Sequence, residues 1–444
     1  MPLRASLLPI SRHSGTGRPT HRPKATTKVQ QERLFSNVAP PDFVHTPGSV
    51  VSASVLVAGT AVGAGILALP QALSPAGLVP AATSISGAAI FSILTGLAVA
   101  EVSINTLCEL GSGSGVSLGS MATRTLGPAG ATAVQVTYLL LHYTLLVAYT
   151  SKAGSTLSSM LGIDGSVAGM AAPVAFTVVI GGLCAAASPS QLDKANGILV
   201  FGVIASFVLL LAGVSPSVDM AVLPTAAREE HWDLLIKSLP VVALSFVFQN
   251  VVPVITSQLE GDRTKIRNAI VLGISVPWLM FMLWTGTILL ASNGVDGGVT
   301  TAADPLTALR ATSPTNAVLI DTFSLLAVST SYIGFVLGLK EFLLEALGMT
   351  EGKQGKAVYL LVLLPPLAAA LLFPSLFYAA LEFAGTYGVL SLFGWIPVWM
   401  VAAERYGGED VTLTKFELVP GGKPVLALLG LASVGIIADQ ALGL

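Results

Sequence analysis

From residue 49 onward the chain is a succession of apolar runs of bilayer-crossing length, set apart by short polar or glycine-proline punctuation. Eleven runs are counted, at about 50–70, 78–104, 129–151, 167–187, 196–214, 237–258, 268–291, 316–339, 357–373, 376–401 and 424–441. In hydrocarbon a segment must satisfy its own backbone polar groups, and runs of this length do so as helices. The pattern predicts an all-α polytopic membrane protein with about eleven transmembrane helices occupying residues 49–444.

Charge gives the runs an orientation, because Lys and Arg accumulate on the side from which insertion occurs. With residue 49 inside, the inside connections hold Arg124, Lys194, Arg263, Lys265, Arg267, Lys340, Lys353, Lys356, Arg405, Lys415 and Lys423, and the outside ones only Lys152, Arg228, Lys237 and Arg310. With the seven basic residues of the leader these account for all 22, so no Lys or Arg is expected deep within a span. That leader, residues 1–48, carries Arg4, Arg12, Arg18, Arg22, Lys24, Lys28 and Arg33 among nine Ser/Thr, with no acid before Glu32 and no apolar h-region. Such composition predicts a disordered organelle transit peptide. The arginines lie among Ser, Thr and Pro without an amphipathic helix, which favours the inner envelope membrane of the chloroplast over the mitochondrial inner membrane.

Composition removes several classes of function. Charged residues are 10% of the chain, against about 25% in soluble domains, and 22 Lys+Arg against 24 Asp+Glu leave no basic surplus for nucleic acid. No GxxxxGK[ST] occurs, since the GK pairs at 352, 355 and 422 are followed by Gln, Ala and Pro. HExxH is also absent, His142 and His231 are the only histidines beyond the leader, and Cys108 and Cys184 have no CxxC spacing. The expectation is therefore no enzyme, no cofactor and no metal. The glycine-serine stretch 108–127 between runs two and three reads as a flexible inside loop or a short surface helix.

Two interruptions in the apolar pattern are more specific. The first run contains Gly59-Thr60-Ala61-Val62-Gly63-Ala64-Gly65-Ile66-Leu67-Ala68-Leu69-Pro70. Three glycines at mid-bilayer depth suit either a small-residue packing face or an unwound helix lining a cavity. If unwound, the amides near Ala61 to Gly65 form the positive end of a half-helix dipole, a seat for a substrate carboxylate. The sixth run contains Ser245-Phe246-Val247-Phe248-Gln249-Asn250-Val251-Val252-Pro253, placing adjacent amides before a proline. Runs one to five (about 50–214) and six to ten (about 237–401) are halves of similar length, and each break falls about ten residues into its half. Five is odd, so the second half enters the membrane inverted. Corresponding breaks in inverted halves point to the midplane site of a secondary transporter.

At this point the sequence resembles a known family. GTAVGAGILALP (59–70) is similar to the first-span motif of the aromatic amino acid permeases, the tryptophan/tyrosine permeases of the amino acid-polyamine-organocation superfamily. Agreement continues in Leu97-Ala98-Val99-Ala100-Glu101-Val102-Ser103-Ile104-Asn105-Thr106, in Leu146 to Ser151, in Asp262 to Arg267 and in Phe323 to Gly334. The stretch from Phe373-Pro374 through Glu404-Arg405-Tyr406 resembles plastid members. The resemblance implies eleven spans, the leucine-transporter fold with a 5+5 inverted repeat and broken helices one and six, and proton-coupled symport of tryptophan or tyrosine by alternating access. Bacterial members carry a glycine- or histidine-bearing break in span six, where this chain has Phe246 to Asn250 without glycine. A broader amino acid or amine carrier is the alternative within transport. A channel would need a pore-lining ring of polar or charged residues, which the spacing does not supply.

The candidate substrate site comprises Thr60, Ala61, Val62, Gly63, Ala64 and Gly65, with Phe246 and Phe248 as an apolar slot for an aromatic side chain and Gln249 or Asn250 reaching its polar atom. For the coupling proton or sodium the candidates are ionisable or hydroxylic. Glu382 lies about six residues into span ten, with Gly385 and Thr386 at helical spacing behind it, and a desolvated glutamate there would exchange a proton near neutrality. Glu101 is near the inner end of span two. Ser329, Thr330 and Ser331 offer oxygens in mid-span eight, where the fold's sodium users place ligands, although such hydroxyls more often bond their own helix. Asp321, and the face formed by Tyr138, His142, Leu145 and Tyr149, are weaker candidates.

Overall fold

Where the apolar runs fall, the chain is helical. The computed structural model describes residues 38–39, 44–45, 48–110, 116–162, 166–215, 231–293, 306, 309–310, 313–349, 353–407 and 416–443. The expected leader of residues 1–48 lies outside them, apart from a two-residue antiparallel ladder of Val38–Ala39 with Val44–His45, and Gly48. Among the described residues nine helices have the length and hydropathy to cross a membrane: Leu78–Glu109, Leu118–Leu161, Gly169–Ala186, Ser190–Val214, Trp232–Gln258, Arg263–Ala291, Pro314–Ala346, Phe377–Tyr406 and Gly422–Leu442. The bent pair Val50–Ala61 and Gly65–Leu73 makes a tenth, and the shorter Ala357–Leu372 falls on the ninth apolar run. Each counted run thus has its helix, numbered below as spans one to eleven in chain order, and the protein is a polytopic membrane protein.

Span three shows how local chemistry shapes a helix. Ser117 and Ser120 cap its start reciprocally, each side chain taking the other's backbone N–H. The helix then turns at Gly127, whose φ of 72° and ψ of −168° suit a residue without Cβ, and restarts on Pro128. The expected surface helix is therefore Leu118 to Leu126, and it packs inward through Met121 and Ala122. Beyond the kink the span runs to Leu161, ten residues past its expected end, before the left-handed cap at Gly162. This overturns one expectation: Lys152 belongs to the span, is 8% exposed, and holds its ammonium over the Phe377 ring.

Span ten is unusual in its winding. Phe377–Phe383 is α-helical, Ala384–Trp395 is π-helical, and Ile396–Tyr406 returns to α. Gly385 lies against the Pro240 carbonyl of span six and Gly388 against Leu141 of span three, positions that leave no room for a side chain. Span eight packs on spans three and five, and the first half of span one lies along span seven.

At the end predicted to be inside, a buried charge network joins spans two, three and ten to the segment before span eleven. Arg405 grips both Glu101 oxygens at 2.6 Å, and the Leu418 and Val419 amides donate to the same carboxylate at 2.7 and 3.0 Å. Beside it Glu404 accepts from Asn105 at 2.9 Å and pairs with Arg124. Arg124 also donates to Thr106 at 2.9 Å and meets Glu109 at 3.0 Å. Glu101 is fully buried, so interfacial solvation does not reach it.

Removing one member of such a pair leaves a buried charge uncompensated. Arg405→Met is expected to cost about 3–5 kcal/mol, read as a lowered thermal midpoint of the detergent-purified protein. Adding Glu101→Gln should recover part of that loss, because the amide oxygen still accepts from Leu418 and Val419. A midpoint unchanged by Arg405→Met would remove the network as a structural support.

Candidate functional site

The first break is sharp. Val50–Ala61 and Gly65–Leu73 meet at 56° across Val62-Gly63-Ala64, where glycine makes continued helix least favourable. Unwinding releases backbone groups that lipid cannot satisfy, and other spans supply partners. The Ala64 N–H donates to the Ser331 hydroxyl of span eight at 3.0 Å. Pro70 has no N–H for the Ile66 carbonyl, and the Trp284 indole of span seven donates to that carbonyl at 2.9 Å instead. A Cβ on Gly63 would stand 2.5 Å from the Ser331 oxygen, and one on Gly65 2.9 Å from the Ser245 Cα, so spans six and eight close directly on the break. Among the described residues the Gly63 and Gly65 amides carry no hydrogen bond. They sit at the positive end of the second half-helix.

The second break is milder. Leu235–Ser245 ends, a short turn Gln249–Val251 follows, and Val252–Gln258 resumes without the sharp bend of span one. The absence of glycine between Phe246 and Asn250 accounts for this. The Gln249 side chain repairs the interruption: its oxygen accepts from the Phe248 amide and its nitrogen donates to Thr95 of span two, both at 3.0 Å.

Several expected site residues have other work. Phe246 and Phe248 are fully buried, the first edge-on to Phe281 of span seven and the second filling the space beside Gly96 of span two; they are packing, not an open slot. Asn250 is exposed while Gln249 is buried. Thr60 bonds the Leu56 carbonyl, Ser329 that of Leu325 and Thr330 that of Ala327, so of the three span-eight hydroxyls Ser331 is the one that reaches the break. Ala61 and Ala64 are buried, whereas Val62, Gly63 and Gly65 are partly accessible.

The acidic candidates also change. Glu382 lies on the exposed surface of the bundle and not in its interior. Gly385 and Thr386 are buried, but the span winds as a π-helix from Ala384, and α-helical spacing no longer joins them to Glu382. Glu101 is committed to Arg405 and two amides. Asp321 pairs with Arg310 and accepts from Ser159 at 3.3 Å. The face of span three is ordered as an aromatic seam, with Tyr138 stacked on His142 at 3.8 Å and Phe335 of span eight against both His142 and Tyr149. Sequence reasoning missed Trp284 and Thr95. Pro70 announces a carbonyl in need of a donor; nothing local says which span provides it.

A groove of about 450 Å³ adjoins the break and opens onto the outer surface of the bundle, where Val51, Val55, Ile204, Leu272 and Val276 are exposed. Val51, Val55, Gly59 and Val62 of span one face Ile204 of span five and Val276 of span seven across it. Its two hydroxyls, Ser54 and Thr330, are bonded to their own helices, so its wall is apolar.

Residues 46–439 match the model of the tryptophan/tyrosine permease family. The chain is 30% identical over 353 residues to tyrosine-specific transport system 1 of Haemophilus influenzae, covering 76% of this chain and 83% of the relative. It is 28% identical over 377 residues to the tryptophan-specific transport protein of Pseudomonas aeruginosa, covering 80% and 87%. To glutamine transporter 2 of Aliivibrio fischeri it is 24% identical over 399 residues, covering 87% and 98%.

The Gly63–Ser331 contact is testable by a double-mutant cycle on thermal stability. Ser331→Ala leaves the Ala64 amide without its partner, a loss of about 1–3 kcal/mol, and Gly63→Ala drives a methyl into the hydroxyl. Combined, the two should cost less than their sum by about 1 kcal/mol, because the new Cβ lies 3.7 Å from the Ser331 Cβ, an ordinary contact. Strict additivity would mean that the two positions do not meet.

Proposed function

The chain belongs to the tryptophan/tyrosine permease family, and on that footing we propose that it is a proton-coupled symporter of tyrosine or tryptophan working by alternating access around the breaks in spans one and six. The observation that carries this reading is the pair of unbonded amides, Gly63 and Gly65, at the N-terminal end of a half-helix inside the bundle. Unpaired N–H groups at a positive dipole end suit a carboxylate. The adjoining groove, open on its outer side, offers an aromatic side chain apolar surface. Ser331 clamps the hinge from span eight, so movement of that span against span one would open or close the amides. An inverted relation of spans one to five and six to ten supplies the two rocking halves this mechanism needs.

A broader amino acid carrier is the second reading. It is favoured by the similarity to a protein named a glutamine transporter and by the lack of a free polar side chain along the groove wall for a phenol or indole. The Arg- and Ser/Thr-rich, acid-poor leader supports placement in an organelle envelope, the plastid inner membrane first.

Purified protein in proteoliposomes, offered labelled tyrosine, tryptophan, leucine and glutamine under separate proton and sodium gradients, tests the proposal. Saturable uptake of tyrosine or tryptophan, accelerated by an inward proton gradient and showing counterflow, is expected. Equal handling of leucine and glutamine would favour the broader carrier, and uptake of none of the four would sink the transport reading.

A further inference from the structure

An acid or base buried within a span is costly and marks function unless its neighbours neutralise it. Among the described residues six acidic, basic or histidine side chains in the spans are buried: Glu101, His142, Lys152, Asp321, Glu404 and Arg405. Glu101, Glu404 and Arg405 belong to the charge network, Asp321 is paired with Arg310, and Lys152 is engaged over Phe377. His142 differs in kind, because its neighbours are a carbonyl and aromatic rings.

Its Nδ1 lies 2.9 Å from the Tyr138 carbonyl, so that nitrogen carries the proton of the neutral ring and Nε2 keeps its lone pair. Nε2 is turned toward Gly338 of span eight: a Cβ there would stand 3.2 Å from it and 3.1 Å from the Tyr138 hydroxyl. Absence of a side chain at this position lets both polar atoms approach the span-eight backbone. From here the seam runs straight to the break. Tyr149 follows His142 by seven residues and Ser331 precedes Gly338 by seven, two helical turns or about 10 Å on each span. Phe335 touches both His142 and Tyr149, and Ser331, one turn before Phe335 on the same span, holds the Ala64 amide.

Resting on the proton-coupled reading above, we propose that His142 is the residue whose protonation couples the proton gradient to the span-one break. A proton arriving from the proton-rich side binds Nε2, and its release to the other side restores the neutral ring. The imidazolium stacks on the Tyr138 face, which favours a cation, with Phe335 tilted beside it. Its new N–H requires an acceptor, and the groups at that spot are the Tyr138 hydroxyl and the span-eight backbone. Protonation therefore changes how span three seats on span eight, and Ser331 passes the change to the hinge. Against the ring are Tyr138 of its own span and, from span eight, Phe335 and Gly338, with Tyr149 on the far contact of Phe335 and the exposed Glu341 three residues past Gly338. Span ten packs alongside with Gly388 against Leu141, and span nine through the Leu361 carbonyl, which accepts from Tyr143. On span ten the acids lie toward the ends, at the exposed Glu382 and the paired Glu404. By linkage, substrate at the break must alter proton binding at His142 by the same factor that protonation alters substrate binding.

The test separates coupling from carrying. In proteoliposomes His142→Gln and His142→Phe are compared with the unaltered protein for counterflow of labelled tyrosine or tryptophan without a gradient, for accumulation driven by a pH gradient, and for the pH profile of exchange. The proposal expects counterflow within about threefold of normal, pH-driven accumulation reduced at least tenfold, and a flattened pH profile of exchange in at least one variant. Full pH-driven accumulation by His142→Gln overturns it, as does loss of counterflow in both variants, which would make the histidine a packing residue. Failure of the unaltered protein to accumulate substrate on a pH gradient would instead overturn the proton-coupled reading itself, and this inference with it.

Discussion

Backbone N–H and C=O groups released inside a membrane bundle must find partners, and the centre of this protein is organised by that requirement. Three side chains from three different spans answer it. Ser331 takes an amide of the unwound segment, Trp284 gives its indole hydrogen to the carbonyl that Pro70 orphans, and Gln249 bridges its own interrupted span to Thr95. Each bond fixes a broken helix to an unbroken neighbour, so the breaks are held features and not weaknesses. At the first break the Gly63 and Gly65 amides are left over, and away from water an unpaired donor calls for an acceptor.

Neutral groups hold the centre, while charges hold one end. Glu101 is fully engaged, with both carboxylate oxygens gripped by Arg405 and two further amides donated to it. Such saturation suits a fixed joint between spans two and ten. It is a poor design for a group that must gain and lose a proton in each cycle, whereas a lone imidazole among aromatic rings has nothing to unpair first.

The number of spans and their places were legible because hydrophobic length is a local property, and the first break was legible because Gly59, Gly63, Gly65 and Pro70 speak against a continuous helix wherever they stand. What failed were readings that needed a neighbour or an exact helix end. Lys152 passed for a loop residue because the span-three pattern weakens at Ser151, yet the helix continues to Leu161. Phe246 and Phe248 suggested a slot, but space beside Gly96 and contact with Phe281 decided where the rings lie. Ser329, Thr330 and Ser331 look alike in sequence; Ser329 and Thr330 bond their own helix, and Ser331 alone of the three bonds the span-one backbone. Transit-peptide character rests on composition alone.

The π-helical stretch of span ten carries a consequence for the whole span. With hydrogen bonds reaching one residue further than in an α-helix, Ala384–Trp395 turns through a smaller angle per residue than the α-helical ends on either side. The two ends are therefore out of phase as a screw would be whose pitch changes midway. Glu382 and Arg405 occupy one span, yet no single helical wheel describes both faces, and a small rewinding of the middle would rotate the outer end while the Arg405 anchor stayed fixed.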